Sequence, residues 1–265
     1  MSARSLWQRL TGAPAAPAGR MAEAAAAAAQ GDYETALGVW VAEAHAGNAR
    51  AQAEIGRCFI YASGVERDPA LALKWLTLAA KAGDPLGQSL LGDYYFNGES
   101  GKPEPSIAEE WYSRAARQGE PHAQDMLSYI LTEGEHRRPD YKQAREWALK
   151  AAEQGVAASM TRLGLMYHNA SGVERDPEAA AEWWAKAAQL GDADGQAMLG
   201  VSYHMGAGIA RDRVAALVWL TRARLQRSKL ADRYYHAVRE ACTAAERQDA
   251  ERRAGLPLDV EEWVH

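Results

Sequence analysis

The sequence predicts an all-α solenoid built from 36-residue helix-turn-helix repeats, and three observations support this fold class. The octapeptide ASGVERDP occurs twice, beginning at Ala62 and again at Ala170, 108 residues later. Tryptophans recur at 36-residue intervals, a third of that distance: Trp75, Trp111, Trp147, Trp183 and Trp219. Alanines and glycines repeat with the same spacing: Ala36, Ala72, Ala108, Ala144, Ala180 and Ala216, and Gly47, Gly83, Gly119, Gly155 and Gly191. Self-similarity at such a period is typical of solenoids, in which each unit packs on its neighbours.

The first part of each repeat has the pattern of an amphipathic helix with a small apolar face. In the repeat that follows Asn48, Ala51, Ile55 and Phe59 recur every four residues. A glycine in the middle of a helix costs about 1 kcal/mol relative to alanine, which close approach of a second helix could offset. We expect the tryptophans to oppose these small positions: Gly56, Gly92, Ser128, Gly164 and Gly200.

The octapeptide has the chemistry of a turn between two helices. Gly64 is expected to end the first helix, Asp68 to cap the second, and Pro69 to take its first position. Val65 and Val173 should fill the gap between the helix ends. The capping position is aspartate throughout, with Glu104 as the exception: Asp32, Asp68, Asp140, Asp176 and Asp212. The octapeptide is therefore interpreted as structural.

The repeat resembles the Sel1-like repeat family of tetratricopeptide-like α-solenoids. The fourth unit carries the motif best: Leu163, Gly164, Tyr167, Gly172, Val173, Asp176, Ala180, Trp183, Trp184, Ala187, Ala188 and Gly191. The fifth repeats most of it: Leu199, Gly200, Tyr203, Gly206, Gly208, Asp212, Ala216 and Trp219. The resemblance implies a right-handed superhelix of antiparallel helix pairs with the first helices on the concave side. It also implies a bacterial scaffold or adaptor in signalling, envelope regulation or host interaction. Some secreted members of this family carry a disulfide in each repeat. This sequence lacks those cysteine pairs, so membership of that subgroup is disfavoured.

The domain organisation follows from this register. We expect an N-terminal capping helix pair over residues 20–48, five Sel1-like repeats over 49–228, and a C-terminal capping helix and tail over 229–265. Because Arg224 and Arg227 replace the usual alanine and glycine, the last second helix should run on toward Ser228. One further charged helix should then cover roughly residues 230–254.

Composition narrows the function classes and the compartment. A net charge of −5 argues against nucleic-acid binding, because phosphate recognition needs clustered basic residues. The two cysteines, Cys58 and Cys242, lie in unlike contexts and indicate a reducing compartment. No stretch of the sequence reaches the roughly 18 apolar residues of a membrane-spanning helix. We expect one cytoplasmic, monomeric domain that requires no membrane contact.

Residues 1–19 allow two interpretations. They contain basic residues but not the apolar stretch of a signal peptide, and their Pro, Ala and Gly content predicts a disordered leader. The alternative is a tether with Leu6, Trp7 and Leu10 on its apolar side, which would make the protein a peripheral membrane or secretion-associated factor.

Catalytic and metal chemistry is not indicated. His168 and His204 share one repeat position, but neither a third ligand nor a carboxylate is in register, so they are interpreted as surface histidines. Glu133, Glu135 and His136 lie in a solvated turn. The sequence contains neither a phosphate-binding loop nor a nucleophile motif, so we expect no enzyme, cofactor or metal; a hydrolase-like enzyme is the least favoured alternative.

The helix face opposite Ile55 is the candidate partner-binding groove. Its residues, carried through the five repeats, are Arg57, Tyr61, Leu90, Asp93, Met126, Tyr129, Arg162, Leu165, Met198, Val201 and Met205. The same rows also contain nine other residues: Arg50, Glu54, Leu86, Asn97, His122, Glu133, Ala158, Asn169 and Asp194. We expect a mildly apolar groove for a peptide or helix of a partner protein, with Arg57 and Arg162 pairing acidic groups. The alternative is that several of these apolar residues pack between neighbouring first helices.

Overall fold

A computed structural model describes residues 20–99, 101–133 and 138–255, and these ranges contain helices joined by short turns, with no strand. The predicted leader or tether in residues 1–19, and Glu135 and His136, lie outside the described residues. The all-α fold class is confirmed.

The helices recur with the predicted period. The N-terminal pair is α1 (Met21–Ala29) and α2 (Tyr33–His45). The first helices of the repeats are α3 (Ala49–Tyr61), α5 (Pro85–Phe96), α7 (Pro121–Glu133), α9 (Ala157–Asn169) and α11 (Ala193–Met205). The second helices are α4 (Pro69–Lys81), α6 (Pro105–Arg117), α8 (Tyr141–Glu153), α10 (Pro177–Gln189) and α12 (Arg213–Leu225). Two helices follow, α13 (Lys229–Ala241) and α14 (Ala244–Ala254).

Aspartates begin the second helices as predicted. The Oδ1 atom of Asp68 accepts a hydrogen bond from the Leu71 amide at 2.9 Å. The same bond to a backbone amide is made by four other aspartates: Asp32, Asp140, Asp176 and Asp212. Glu104 does not cap α6 through its side chain, so the one exception in sequence is also an exception in structure.

The end of the first helix differs from the prediction. The left-handed residue that terminates α3 is Ala62, with φ 56°, and Ala170 terminates α9 in the same way with φ 59°. Gly64 lies two residues later with φ 73°. The Ser63 amide donates to the Cys58 carbonyl at 3.0 Å, a turn bond that holds the alanine in this conformation.

Glycine is needed in the octapeptide for two reasons. Its φ is positive in both copies, and the second helix of the preceding repeat lies very close: a Cβ on Gly172 would lie 2.6 Å from the Cβ of Tyr141, at the start of α8. Val65 is buried, as expected of a residue that fills the gap between helix ends, and Val173 is half-buried.

The residue that opposes the mid-helix glycine is not the repeated tryptophan but the residue after it. A Cβ on Gly56, Gly92 or Gly200 would meet a side chain at 2.6–2.8 Å, and the residues met are Leu76, Tyr112 and Leu220. In the fourth repeat the opposing residue is Trp184. Successive helical residues differ by about 100° in direction, so only one of the two neighbouring positions can face the glycine.

Three tryptophans of the repeated column therefore lie at the surface of the helix pair. Each is half-buried under a basic side chain one turn later: Trp111 under Arg114, Trp147 under Lys150, and Trp183 under Lys186, with the cation 4.2–4.6 Å from the ring centroid. Trp75 and Trp219 are buried. The prediction that the repeated tryptophans oppose the mid-helix glycines is therefore wrong at Gly56, Gly92, Gly164 and Gly200.

A buried glutamine links successive repeats, a feature that the sequence did not reveal. Its side-chain nitrogen donates to a carbonyl near the end of the preceding second helix at 3.2–3.3 Å. The pairs are Gln52 with Ala44, Gln88 with Ala80, Gln124 with Ala116, and Gln196 with Ala188. Met160 takes this position in the fourth repeat.

The chain divides into two compact units, Met1–Leu127 and Ser128–His265, where the sequence predicts one domain. The division falls within the third repeat. The buried residues of α8 are all alanines, Ala144, Ala148, Ala151 and Ala152, so this helix buries little apolar area. Four first helices, α3, α5, α9 and α11, each pack against the second helices that precede and follow them in the chain.

The C-terminal region contains two helices, so the prediction of one helix over residues 230–254 is wrong. The chain bends at Cys242, and Thr243 and Glu246 form a reciprocal capping box that starts α14. The expected extension of α12 toward Ser228 is also absent, because Arg227 adopts the left-handed conformation, with φ 65°, that glycine adopts in the other repeats.

Candidate partner-binding cleft

The predicted groove residues differ in how much surface they expose. Tyr61, Leu165 and Met205 are exposed. The half-buried members are Arg57, Asp93, Met126, Tyr129, Arg162, Met198 and Val201. Leu90 is 7 % exposed and packs with Leu91 and Tyr94 in a core cluster, so the prediction that it lies on an open face is wrong.

Two further apolar members contribute to packing. Met198 and Val201 lie against the core cluster around Trp219 and Leu220. The alternative that apolar residues of this face pack between helices therefore holds for these two positions. Leu165 and Met205 remain exposed on α9 and α11.

In the first compact unit, the charged groove residues bond within the protein. Arg57 pairs with Glu54 at 2.7 Å, one turn earlier on α3. The Oδ1 atom of Asp93 accepts hydrogen bonds from the Tyr112 hydroxyl at 2.6 Å and from the His122 Nε2 at 2.8 Å. The hydrogen bond to Asp93 raises the pKa of His122, and burial raises the pKa of Tyr112.

In the second compact unit, the first helices enclose a cleft of about 370 Å³. We call it the first-helix cleft. It contains three predicted groove residues, Tyr129, Arg162 and Leu165, and four others from the same predicted rows, Glu133, Ala158, Asn169 and Asp194. The remaining lining residues, which sequence reasoning missed, are Thr132, Thr161, Met166, Ser171 and Asp192.

The polar groups of the cleft are positioned by bonds within the protein. The Arg162 guanidinium lies 5.4 Å from the centroid of the Tyr129 ring. The Asp192 Oδ1 accepts from the Thr161 hydroxyl and from the Gly195 amide, both at 2.7 Å, and so caps α11. Asp192 could have been found from the sequence, because Asn48 and Asp84 cap first helices at the same repeat position.

The cleft combines an apolar part with carboxylates. Leu165 is 37 % exposed and lies beside the buried Met166, while Glu133 and Asp194 are exposed. The Asp194 Oδ1 accepts from the Ser228 hydroxyl at 3.3 Å. Such a surface can hold a partner side chain that has both an apolar and a polar part.

A second and larger cavity, about 1010 Å³, lies on the second-helix side of the same unit. Residues from α10, from the turn before α12 and from α14 line it. Several of its charged groups are engaged: Asp212 and Glu246 cap helices, and Arg213 donates to the Ala241 carbonyl at 3.0 Å. These bonds point to a structural use of its charges.

The remaining candidates for chemistry are placed as follows. His168 is half-buried with its ring 5.6 Å from that of Trp184, and His204 is half-buried on α11. In the part of the chain that the structure describes, no three His, Cys, Asp or Glu side chains are grouped as a metal would require. Cys58 and Cys242 are both buried and neither forms a disulfide, and burial raises the pKa of Cys58 to about 12. None of the described helices is long and apolar enough to cross a membrane.

Comparisons with solved structures find bacterial repeat proteins. A Sel1 repeat protein from Oxalobacter formigenes is 29 % identical with a TM-score of 0.74, over 88 % of this chain and 98 % of that one. The protective antigen c5321 of uropathogenic Escherichia coli, which displays an SLR fold, is 26 % identical with a TM-score of 0.54, over 82 % of this chain and 54 % of its own. A Klebsiella pneumoniae protein described as a Sel1 repeat protein, 19 % identical with a TM-score of 0.52 over 75 % of this chain and 97 % of its own, supports the fold alone.

No curated protein matches the chain. The family model of the Sel1 repeat matches five consecutive segments, residues 49–84, 85–120, 121–156, 157–192 and 193–228. These segments coincide with the helix pairs α3–α4 to α11–α12 and cover more than half of the sequence. The chain therefore belongs to the Sel1 repeat family.

Proposed function

We propose that this protein is a scaffold that binds a peptide or helix of a partner protein in the first-helix cleft. Sel1 repeat proteins generally act as noncatalytic scaffolds that mediate protein–protein interaction. The observation that carries the proposal is the position of the cleft. Three residues chosen from the sequence as groove residues, Tyr129, Arg162 and Leu165, line one cavity of about 370 Å³.

The contacts in the cleft favour a protein partner over a reaction. Its polar side chains are held by structural bonds, as Asp192 is by Thr161 and Gly195. Catalysis needs a nucleophile or a general acid or base converging on one reacting atom, and the lining residues offer no such arrangement among those described. We therefore propose a non-enzymatic role that requires neither metal nor cofactor.

The setting that we propose is the bacterial cytoplasm, with the protein acting as a monomer. The bacterial relatives and the two buried cysteines that form no disulfide, Cys58 and Cys242, support this setting. Sedimentation of the purified protein measures the oligomeric state. Fractionation of cells that express the chain with and without residues 1–19 tests the tether alternative.

Site-specific photocrosslinking tests the binding surface. A photoreactive amino acid at Leu165, inside the cleft, should give a discrete crosslinked partner in the native cell. The matched control is Leu190, which is 56 % exposed at the end of α10 and does not line the cleft. The same crosslinked product from both positions, or from Leu190 alone, would place partner binding elsewhere.

A further inference from the structure

We infer that the partner segment in the first-helix cleft presents a lysine or arginine side chain to it. This inference rests on the proposed function and adds the chemistry of the occupant. The sequence alone suggests an acidic occupant, because it predicts that Arg162 pairs an acidic group of the partner. The lining residues reverse that expectation.

The residues that line the cleft give it a net negative charge. Of the lining residues that the structure describes, three are carboxylates, Glu133, Asp192 and Asp194, and Arg162 is the one cation. Three negative charges and one positive charge leave a formal charge of −2. The N-terminus of α11 contributes about half a positive charge, which does not cancel it.

Hydrogen bonds within the protein leave the negative charges of Asp192 and Asp194 in place. The partners of Asp192 are a hydroxyl and an amide, from Thr161 and Gly195, and Asp194 accepts from the Ser228 hydroxyl. Neutral donors hold the carboxylates without neutralising them. The Arg162 guanidinium lies 5.4 Å from the centroid of the Tyr129 ring, whose electron-rich face attracts a cation.

The cleft is no wider than the distance over which charges are screened. A volume of about 370 Å³ has a linear dimension of about 7 Å. Charges in solution are screened over about 8 Å at physiological ionic strength, so an occupant experiences all of the lining charges together. A carboxylate entering the cleft is therefore repelled on balance, and an ammonium or guanidinium group is attracted.

The shape of a lysine or arginine side chain also suits the cleft. Lysine and arginine have an apolar stem and a charged end, and they favour surfaces where the stem covers apolar groups while the end reaches polar ones. Leu165, Met166 and Ala158 supply the apolar part of the cleft, and Glu133 and Asp194 supply exposed carboxylates. An uncharged aliphatic side chain would use the first part only.

The probe for this inference is a set of synthetic 11-residue peptide pools. Their flanking positions are drawn from Ala, Ser, Leu, Tyr and Gln, and their central residue is lysine, arginine, norleucine or glutamate. Norleucine has an aliphatic stem without the charge. Binding is followed by two-dimensional NMR of the full-length protein, which locates the site even when affinity is low.

The lysine and arginine pools should shift the amides of the lining residues at concentrations at least fivefold lower than the norleucine pool, and the glutamate pool should shift them least. The double variant Glu133→Gln, Asp194→Asn should remove this advantage. The control Glu182→Gln, which removes an exposed carboxylate on the second-helix side, should retain it. Thermal unfolding of each variant confirms that the fold is kept.

The outcomes separate the two proposals. If norleucine or glutamate pools shift the same amides as well as lysine pools do, the cleft binds peptides but the basic occupant is wrong. If no pool shifts the lining amides more than those elsewhere, the cleft is not a peptide site and both proposals are wrong. If the lysine advantage survives in the double variant, the charge acts at another surface.

Discussion

Gly164 in α9 lies directly against the indole of Trp184 in α10: a Cβ on Gly164 would be 2.5 Å from the indole Cδ1. That distance is far below an ordinary contact, so only a residue without a Cβ lets the indole pack this close to the helix. The indole nitrogen then donates to the Thr161 carbonyl at 3.2 Å. The same relationship, with other side chains, recurs at Gly56, Gly92 and Gly200.

Replacing this glycine should therefore destabilise the protein although alanine is the better helix former. Gly164→Ala gains about 1 kcal/mol in helix propensity but overpacks the core, which typically costs about 1–3 kcal/mol. We expect a net loss of about 1 kcal/mol in the free energy of unfolding, measured by urea denaturation. The control is Gly38→Ala in α2, where a Cβ would meet nothing within 4 Å, and it should stabilise the protein. Equal effects of the two substitutions would contradict the close approach.

The two tryptophan positions of a repeat should differ in energetic weight. Trp184 is 2 % exposed, whereas Trp147 is half-buried beneath Lys150. Trp184→Ala should lower the free energy of unfolding by about 3–5 kcal/mol, as expected for a large buried aromatic residue. Trp147→Ala should lower it by half of that or less. A larger loss in the free energy of unfolding for Trp147→Ala than for Trp184→Ala, in thermal or urea unfolding, would contradict this difference between the two positions.

The left-handed alanines that end α3 and α9 are positions where glycine should stabilise the protein. The left-handed conformation costs a residue with a Cβ about 1 kcal/mol, and glycine adopts it without that strain. Ala62→Gly and Ala170→Gly should each raise the free energy of unfolding, measured by urea denaturation, by up to about 1 kcal/mol. Ala51→Gly, inside α3, should lower it. A loss of stability at Ala62 or Ala170 would show that φ is not positive there.

The hydrogen bond between His122 and Asp93 should make stability depend on pH. The bond to Asp93 raises the pKa of His122 in the folded protein, Glu120 and Asp125 act in the same direction, and burial opposes them. A histidine whose pKa is raised in the folded protein contributes stability that is fully present below the unfolded-state pKa of about 6.5. This contribution is lost as pH rises through the folded-state pKa. The stability difference between wild type and His122→Gln should therefore shrink as pH rises from 6 toward 9.

A titration of the histidine ring provides the direct measurement. NMR of the His122 ring should give a pKa above the ordinary value in the wild type, and a lower one in Asp93→Asn. The asparagine oxygen can still accept from the Tyr112 hydroxyl, so the variant removes the charge and keeps that bond. An unchanged His122 pKa in Asp93→Asn would exclude Asp93 as the cause.

The amino-acid sequence by itself determined the repeat period, the paired helices and their aspartate caps. These features depend on interactions within one or two helical turns: Asp68 bonds to an amide three residues later, and Pro69 favours the first position of α4. These helix-capping residues can be recognised in a single repeat, and their recurrence from repeat to repeat supports the assignment. The Sel1 repeats and the all-α fold could therefore be identified without a structure.

Only the tertiary structure decided which side chains face inward and which stay open. Leu90 and Leu165 lie on the same predicted face of first helices, yet neighbours cover Leu90 and leave Leu165 exposed. Trp183 and Trp184 are adjacent in sequence, yet only Trp184 meets Gly164. The charge of the cleft also depends on carboxylates from α7 and α11 meeting Arg162 from α9. Burial and electrostatic environment are properties of helices packed together. The hydrophobic period of one helix predicts which face is buried, but it does not distinguish between adjacent residues on that face.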